Sequence, residues 1–178
     1  MTGKYRTIVI DPPWKISLSG KWKKVNQGLK DMPYQTMTDK EIMNFPIDDF
    51  AHKDCNLYLW TTNGKLPLAF QVLKDWGFRY HATFAWVKKN GPVVLGVHYV
   101  TEFCLFGYRG KFELTTLSDS VPTTFYAGHS QKPPAFYQYL LKKTKPPRID
   151  IFSRKAHIGF EQYGDQACTP PHDLHTYF

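Results

Sequence analysis

The chain has 178 residues, of which 42% are hydrophobic and 16% aromatic, and its formal net charge is +8. That length suits one ordinary domain able to bury about two-thirds of its unfolded surface, and the apolar content excludes a disordered chain. Three widely spaced cysteines, Cys55, Cys104 and Cys168, exclude a zinc ribbon or a disulfide framework and point to a reducing, cytoplasmic setting.

The opening MTGKYRTIV holds no signal peptide, and no stretch approaches a membrane span, so no membrane partner is expected. YRTIVID (5–11) reads as a buried strand, stopped by Pro12 and Pro13, which permit neither ladder nor helix. Residues 15–33 carry five lysines and little periodicity, a long mobile loop of the kind that serves function inside compact domains. TDKE (38–41) is a capping-box start for a short helix. CNLYLWTT (55–62) is a second strand. LPLAFQVLKDWG (66–77) sets Leu66, Ala69, Phe70 and Leu73 on one helical face and closes at Gly77.

ATFAWVKK (82–89) is a third strand, followed by the loop NGPVVLG. YVTEFCLFGYRG (99–110) and VPTTFYA (121–127) are two more strands around a polar turn. KPPAFYQYLLKKT (132–144) has prolines in its first turn and lysines in its last, as a helix prefers, and RIDIFS (148–153) is a final strand. The alternation predicts an α/β layer with a mostly parallel sheet and an antiparallel pair. Residues 1–168 form a single domain and 169–178 a flexible tail, on which HDLH (172–175) reads as disordered and not as a metal pair. No metal is expected. In such sheets ligands sit beyond the carboxyl ends of strands, where Asp11, Thr61, Lys88 and Ser153 stand.

DPPW (11–14) has a chemistry of its own. The Asp11 carboxylate accepts hydrogen bonds, Pro12 presents a carbonyl at a fixed angle, and Trp14 offers a plane. Together they suit a flat ring bearing an exocyclic amino group, with one hydrogen on Asp11 and the other on the Pro12 carbonyl. The lone pair of such an amine is delocalised into the ring. Gripping both hydrogens favours a pyramidal nitrogen aimed at an electrophile, which is catalysis by positioning and electrostatics. The plain alternative is a proline strand-stop beside a core tryptophan.

With MPYQTMTDKEI, LYLWTTN, FAWVKKN, TEFCLFGYRG, HSQKP and RIDIFSRK…GFEQYGDQ following DPPW in that order, the chain resembles the DPPW-type N6-adenine methyltransferases, relatives of the catalytic subunit of the mRNA adenine methyltransferase. The resemblance runs from Tyr5 to Gln166. It implies a Rossmann-like methyltransferase fold with helices on both sheet faces, and S-adenosylmethionine as methyl donor, leaving S-adenosylhomocysteine. It implies Asp11, Pro12, Pro13 and Trp14 as the catalytic cradle, with Asp11 also at the cofactor. It places His129, Ser130 and Lys132 near the methionine carboxylate and the adenine, though Ser130 also suits a helix cap. Asp150 would meet the ribose hydroxyls, Phe152 the adenine or methionine portion, and Arg154 the space beyond the strand. Asp165 and Gln166 stand at ribose-contacting positions, where Asp165 replaces the family's usual asparagine.

Tyr34, Trp60, Trp86 and Glu102 match positions that frame the substrate pocket; the two tryptophans serve equally as core. Glu102 in an apolar run needs a partner, and Lys132 is the candidate. Lys21, Trp22, Lys23 and Lys24 in the basic loop suit phosphate contact and stacking without sequence preference. The usual acidic segment upstream of DPPW and the F-x-G-x-G cofactor loop are missing, which implies modest cofactor affinity. The expected partner is nucleic acid, DNA ahead of RNA as in compact bacterial, archaeal and phage enzymes, with little sequence specificity or help from an oligomeric partner. RNA methylation and a non-catalytic nucleic-acid-binding subunit are the alternatives.

Overall fold

The computed structural model describes residues 3–15, 35–91, 93–94, 96–112, 114–115, 123–127 and 132–164. Strand β1 (Tyr5–Ile10) is an interior strand of a seven-stranded sheet. It pairs in parallel with β2 (Ala51–Thr62) on one side and β8 (Arg148–Ile151) on the other. β6 (Thr101–Arg109) runs antiparallel between β2 and β3 (Arg79–Lys88). The edges are β7 (Thr124–Ala127), parallel to β3, and β9 (Glu161–Tyr163), parallel to β8. The antiparallel direction is thus carried by one strand with two neighbours, inside a Rossmann-like α/β sheet. A small hairpin of β4 (Val93–Val94) and β5 (Val97–His98) occupies part of the stretch read from sequence as a plain loop.

Side-chain alternation sends the two faces of the sheet to different cores. Ile8, Ile10, Leu57, Leu59 and Leu105 point to one face, covered by helices α1 (Asp39–Met43) and α2 (Leu66–Asp75) through Ile42, Ala69, Val72 and Leu73. Val9, Tyr58, Trp60, Phe84, Trp86 and Phe106 point to the other, covered by α3 (Pro134–Lys143) through Phe136, Tyr137 and Leu140. Helices therefore stand on both faces, and each face is buried by period-two patterning in every central strand.

Local chemistry fixes the ends. Thr38 caps α1: its Oγ1 accepts from the Glu41 N–H at 3.2 Å while the Glu41 carboxylate accepts from the Thr38 N–H at 2.6 Å. The buried stripe of α2 is Ala69, Val72 and Leu73, continued by Trp76, whereas Phe70, expected in the core, is 38% exposed against Tyr80. The helix is rotated because the stripe 69, 72, 73, 76 reaches Trp76, a larger anchor than Phe70. Gly77, at φ +75°, ends α2 with its N–H on the Lys74 carbonyl and the Phe78 N–H on the Leu73 carbonyl, a conformation a side chain would strain. β2 begins earlier than CNLYLWTT, at Ala51, which pairs with Tyr5 of β1; the Arg109 guanidinium donates to the carbonyls of Ala51 and His52 and pairs with Asp48. Cys55 and Cys104 are buried free thiols, and Cys168 lies outside the described residues. No described helix is long and apolar enough to cross a membrane.

Candidate active site

The carboxyl end of β1 delivers Asp11 to the rim of the sheet, and its backbone N–H still bonds the Ile151 carbonyl of β8 at 3.2 Å. The next three residues then turn tightly. The Trp14 N–H donates to the Pro12 carbonyl at 2.8 Å, closing a three-residue turn centred on Pro13, whose fixed φ suits it. The sequence suggested a free Pro12 carbonyl, and this bond shows that it is not wholly free. One of its acceptor positions is used, and that bond immobilises the other. Met37 N–H bonds the Pro13 carbonyl at 2.9 Å, anchoring the chain that leads into α1.

Trp14 does not offer its plane to solvent. Only 5% of it is exposed, it packs in the aliphatic core, and its Nε1–H donates to the Trp60 carbonyl at 3.0 Å. Its contribution to this geometry is stiffness: it staples the DPPW turn to the end of β2.

A chain of alternating charge runs from Asp11 across three strands. Lys132, two residues before α3, places Nζ 2.8 Å from Asp11 Oδ2 and 3.2 Å from Glu102 Oε2. The second Glu102 oxygen, Oε1, pairs with Lys88 at the end of β3. Beneath the ammoniums lie two indoles. Lys132 Nζ is 4.7 Å from the Trp60 ring centre and 5.4 Å from that of Trp86, and Lys88 Nζ is 4.9 Å from Trp86. Burial opposes a charge on Lys132, but the Asp11 and Glu102 carboxylates outweigh it and push the amine up to about 12. Burial likewise opposes ionisation of Glu102, and the ammoniums of Lys132 and Lys88 hold its carboxyl below the ordinary value nonetheless. The Asp11 side chain keeps 39% of its surface open, so the paired carboxylate still faces outward.

Trp60 and Trp86 are 0% and 2% exposed and meet edge to face at 6.3 Å. They floor the site from inside the core and do not wall an open pocket. Their indole N–H groups have no hydrogen-bond partner among the described residues.

Asp150, on β8 beside Val9, turns to the aromatic face and is 1% exposed. Its Oδ2 accepts from the Tyr137 hydroxyl at 2.9 Å, and His157 stacks on the Tyr137 ring at 3.5 Å with Nε2 3.9 Å from the same oxygen. Burial pushes the Asp150 carboxyl up to about 7 against that hydrogen bond, and burial pulls His157 down to about 4. In this arrangement Asp150 spends Oδ2 on Tyr137 and leaves almost no surface for a ribose. Phe152 follows directly with φ +65°, a left-handed conformation costly for a bulky residue, and its ring lies 5.3 Å from Phe45 on the aliphatic side. Arg154 is exposed in the turn beyond β8.

Asp11, Lys132, Glu102, Trp60 and Trp86 therefore converge. Tyr34, His129, Ser130, Asp165, Gln166, Lys21, Trp22, Lys23 and Lys24, the loop 15–33 apart from Lys15, and the tail 169–178 lie outside the described residues. Sequence reasoning noted Lys88 only as a strand-end residue and passed over Tyr137 and His157. The signal for Lys88 was its period-two spacing from Trp86, which puts both on one face.

Two comparisons bear on this arrangement. The MT-A70 family model matches residues 5–166. The chain is also 26% identical to the type II methyltransferase M.MunI of a Mycoplasma species over 182 residues, covering 90% of this chain and 77% of that protein.

Proposed function

The chain belongs to the MT-A70 family of methyltransferases, and from that premise we propose that it transfers a methyl group to the exocyclic amino group of adenine in DNA. The observation that carries this reading is Asp11: a half-exposed carboxylate at the carboxyl end of β1, held by Lys132 and followed by a bond-locked proline turn.

S-adenosylmethionine, when bound, supplies a methyl group made electrophilic by its sulfonium. The residues present suit it. Lys132 is a half-buried cation on the rim, suited to the methionine carboxylate, and Asp11 presents an outward carboxylate to its amino group. His129 and Ser130, with Asp165 and Gln166 toward the ribose, complete the set by the resemblance.

The protein's part in the reaction is positional. Asp11 accepts one hydrogen of the adenine amine and the remaining acceptor position of Pro12 takes the other, which frees the nitrogen lone pair to face the methyl. As the amine takes up positive charge in the transfer, Asp11 would meet that charge and pass the amine proton to solvent. Lys132, 2.8 Å from Oδ2, holds the Asp11 carboxylate in place. With a net charge of +8, the chain suits a polyanion, and the basic segment 15–33 is the proposed contact for its phosphates. Sequence specificity is proposed to be weak or supplied by a partner. An adenine in a duplex must be flipped out first, which makes single strands the better substrate.

The test is transfer from labelled S-adenosylmethionine to matched single-stranded DNA, duplex DNA and RNA, followed by digestion to nucleosides. The expected product is N6-methyladenine, from DNA above RNA, lost by about 10³-fold or more in Asp11→Ala, which should still fold. Label on RNA alone would reassign the substrate. Cofactor binding without transfer to any of the three would mark a non-catalytic subunit.

A further inference from the structure

Lys88 stands one step beyond the residues that touch the reacting groups. Its backbone is fixed, because its N–H bonds the Val100 carbonyl at 2.8 Å at the end of the β3–β6 ladder. Its side chain shares a face with Trp86, and Trp86 sits directly across from Glu102 in the antiparallel register. The ammonium therefore reaches Glu102 Oε1 along the Trp86 ring, with about a fifth of the side chain exposed.

Resting on the reading of Asp11 and Lys132 given above, we infer that Lys88 is a positioning residue: by occupying one oxygen of Glu102 it leaves only the other for Lys132, and so fixes that ammonium against Asp11. Without Lys88, Glu102 has two outcomes. It rotates to take Lys132 with both oxygens and draws it away from Asp11, or it gains a proton and stops holding Lys132. The groups facing Glu102 are Lys88 from β3 and Lys132 from the approach to α3, with Asp11 of β1 behind Lys132. Both outcomes shift the cation that sets the orientation of the acceptor carboxylate. Such shifts are costly in positional catalysis, where a displacement of about 1 Å can lower the rate roughly 100-fold.

The experiment compares Lys88→Met and Lys88→Arg with the unaltered chain. Lys88→Met is expected to lower kcat by about 10- to 100-fold with a smaller change in KM for the cofactor. The acidic limb of its pH–rate profile should move to higher pH, and Lys88→Arg should return most of the activity. Independently of turnover, the carboxyl carbon resonance of Glu102 followed from pH 3 to 7 should titrate at higher pH in Lys88→Met. An unmoved Glu102 titration overturns the inference, whatever the transfer assay gives. So does a defect confined to KM for nucleic acid with an unmoved acidic limb, which would make Lys88 a phosphate contact. Asp11→Ala, run beside these, separates the two ideas: retained transfer there sinks the proposed function, whereas its loss together with a wild-type Lys88→Met sinks only the role of Lys88.

Discussion

The two faces of the sheet are built from different chemistry. One is aliphatic where the strands meet α2, with Ile8, Ile10, Leu57, Leu59, Leu105, Ile149 and Ile151 under Ala69, Val72 and Leu73, and holds Tyr5, Trp14, Trp76 and Phe78 besides. The other is aromatic, with Tyr58, Trp60, Phe84, Trp86, Phe106 and Phe125 under Phe136 and Tyr137. Both exclude water equally well. The aromatic face carries a half-buried charge chain at its rim, Lys132, Glu102 and Lys88, with buried Asp150 further along, while the other face has Arg109 over Phe78. The difference follows from what the side chains can do for a cation. An aliphatic wall offers a desolvated ammonium nothing, whereas an indole offers the negative face of its ring. The aromatic core thus doubles as the floor of the site, and the aliphatic core is purely a foundation.

Substitutions on the two faces should consequently fail in different ways. Leu59, fully buried opposite Ile10 and Leu105, is the aliphatic case. Leu59→Ala should cost about 2–5 kcal/mol of stability by removing methyl groups and leaving a cavity. Transfer per folded molecule should stay near the unaltered value, read by denaturant titration alongside active-site-normalised rates. A large loss of specific activity would erase the distinction. Trp60 is the aromatic case. Trp60→Leu keeps the carbonyl that Trp14 uses but removes the ring 4.7 Å from the Lys132 ammonium. A cation–π contact of about 1–2 kcal/mol corresponds to a drop in transfer of roughly tenfold. An unchanged rate in folded Trp60→Leu would reduce the aromatic face to ordinary core.

The same contrast explains what the sequence made legible. Aliphatic strands announce themselves: YRTIVID and the apolar run at LYLW needed no tertiary information, and the capping box at Thr38 and the stop at Gly77 are local chemistry. DPPW was visible because two prolines after a strand are a backbone instruction. The site's charge chain was only half visible. Glu102 in an apolar run demanded a cation, and Lys132 was named, but Lys88 depends on β6 lying antiparallel beside β3, a non-local pairing. The burial of Trp14 could not be read either, because its indole N–H finds the carbonyl of Trp60 from a strand 46 residues away. Phe70 was misassigned because helical period alone does not choose between neighbouring stripes. β9 is three residues long, too short for alternation to declare it.

Asp150 gives the finest version of the comparison, since it is a buried carboxyl on the aromatic face without an ammonium of its own. Glu102 is held ionised by two lysines, while Asp150 has the Tyr137 hydroxyl and a histidine that burial keeps neutral. Burial raises its folded pKa to about 7, against an ordinary value near 4. Between those two values the unfolded chain is ionised and the folded one keeps its proton, so the folded state binds more protons and stability falls as pH rises through the window. His157 acts in the opposite sense. Its folded value, about 4, lies below the ordinary 6.5, so its contribution is lost as pH falls from 6.5 toward 4. In the unaltered chain the two slopes oppose each other. Asp150→Asn keeps an acceptor for Tyr137 and removes the first slope. It should therefore gain about 1–3 kcal/mol over the unaltered chain at pH 8, little at pH 4, and climb steadily between them. If urea titrations give parallel curves for the two proteins from pH 4 to 8, Asp150 is ionised in the fold and some cation must be holding it as Lys88 and Lys132 hold Glu102.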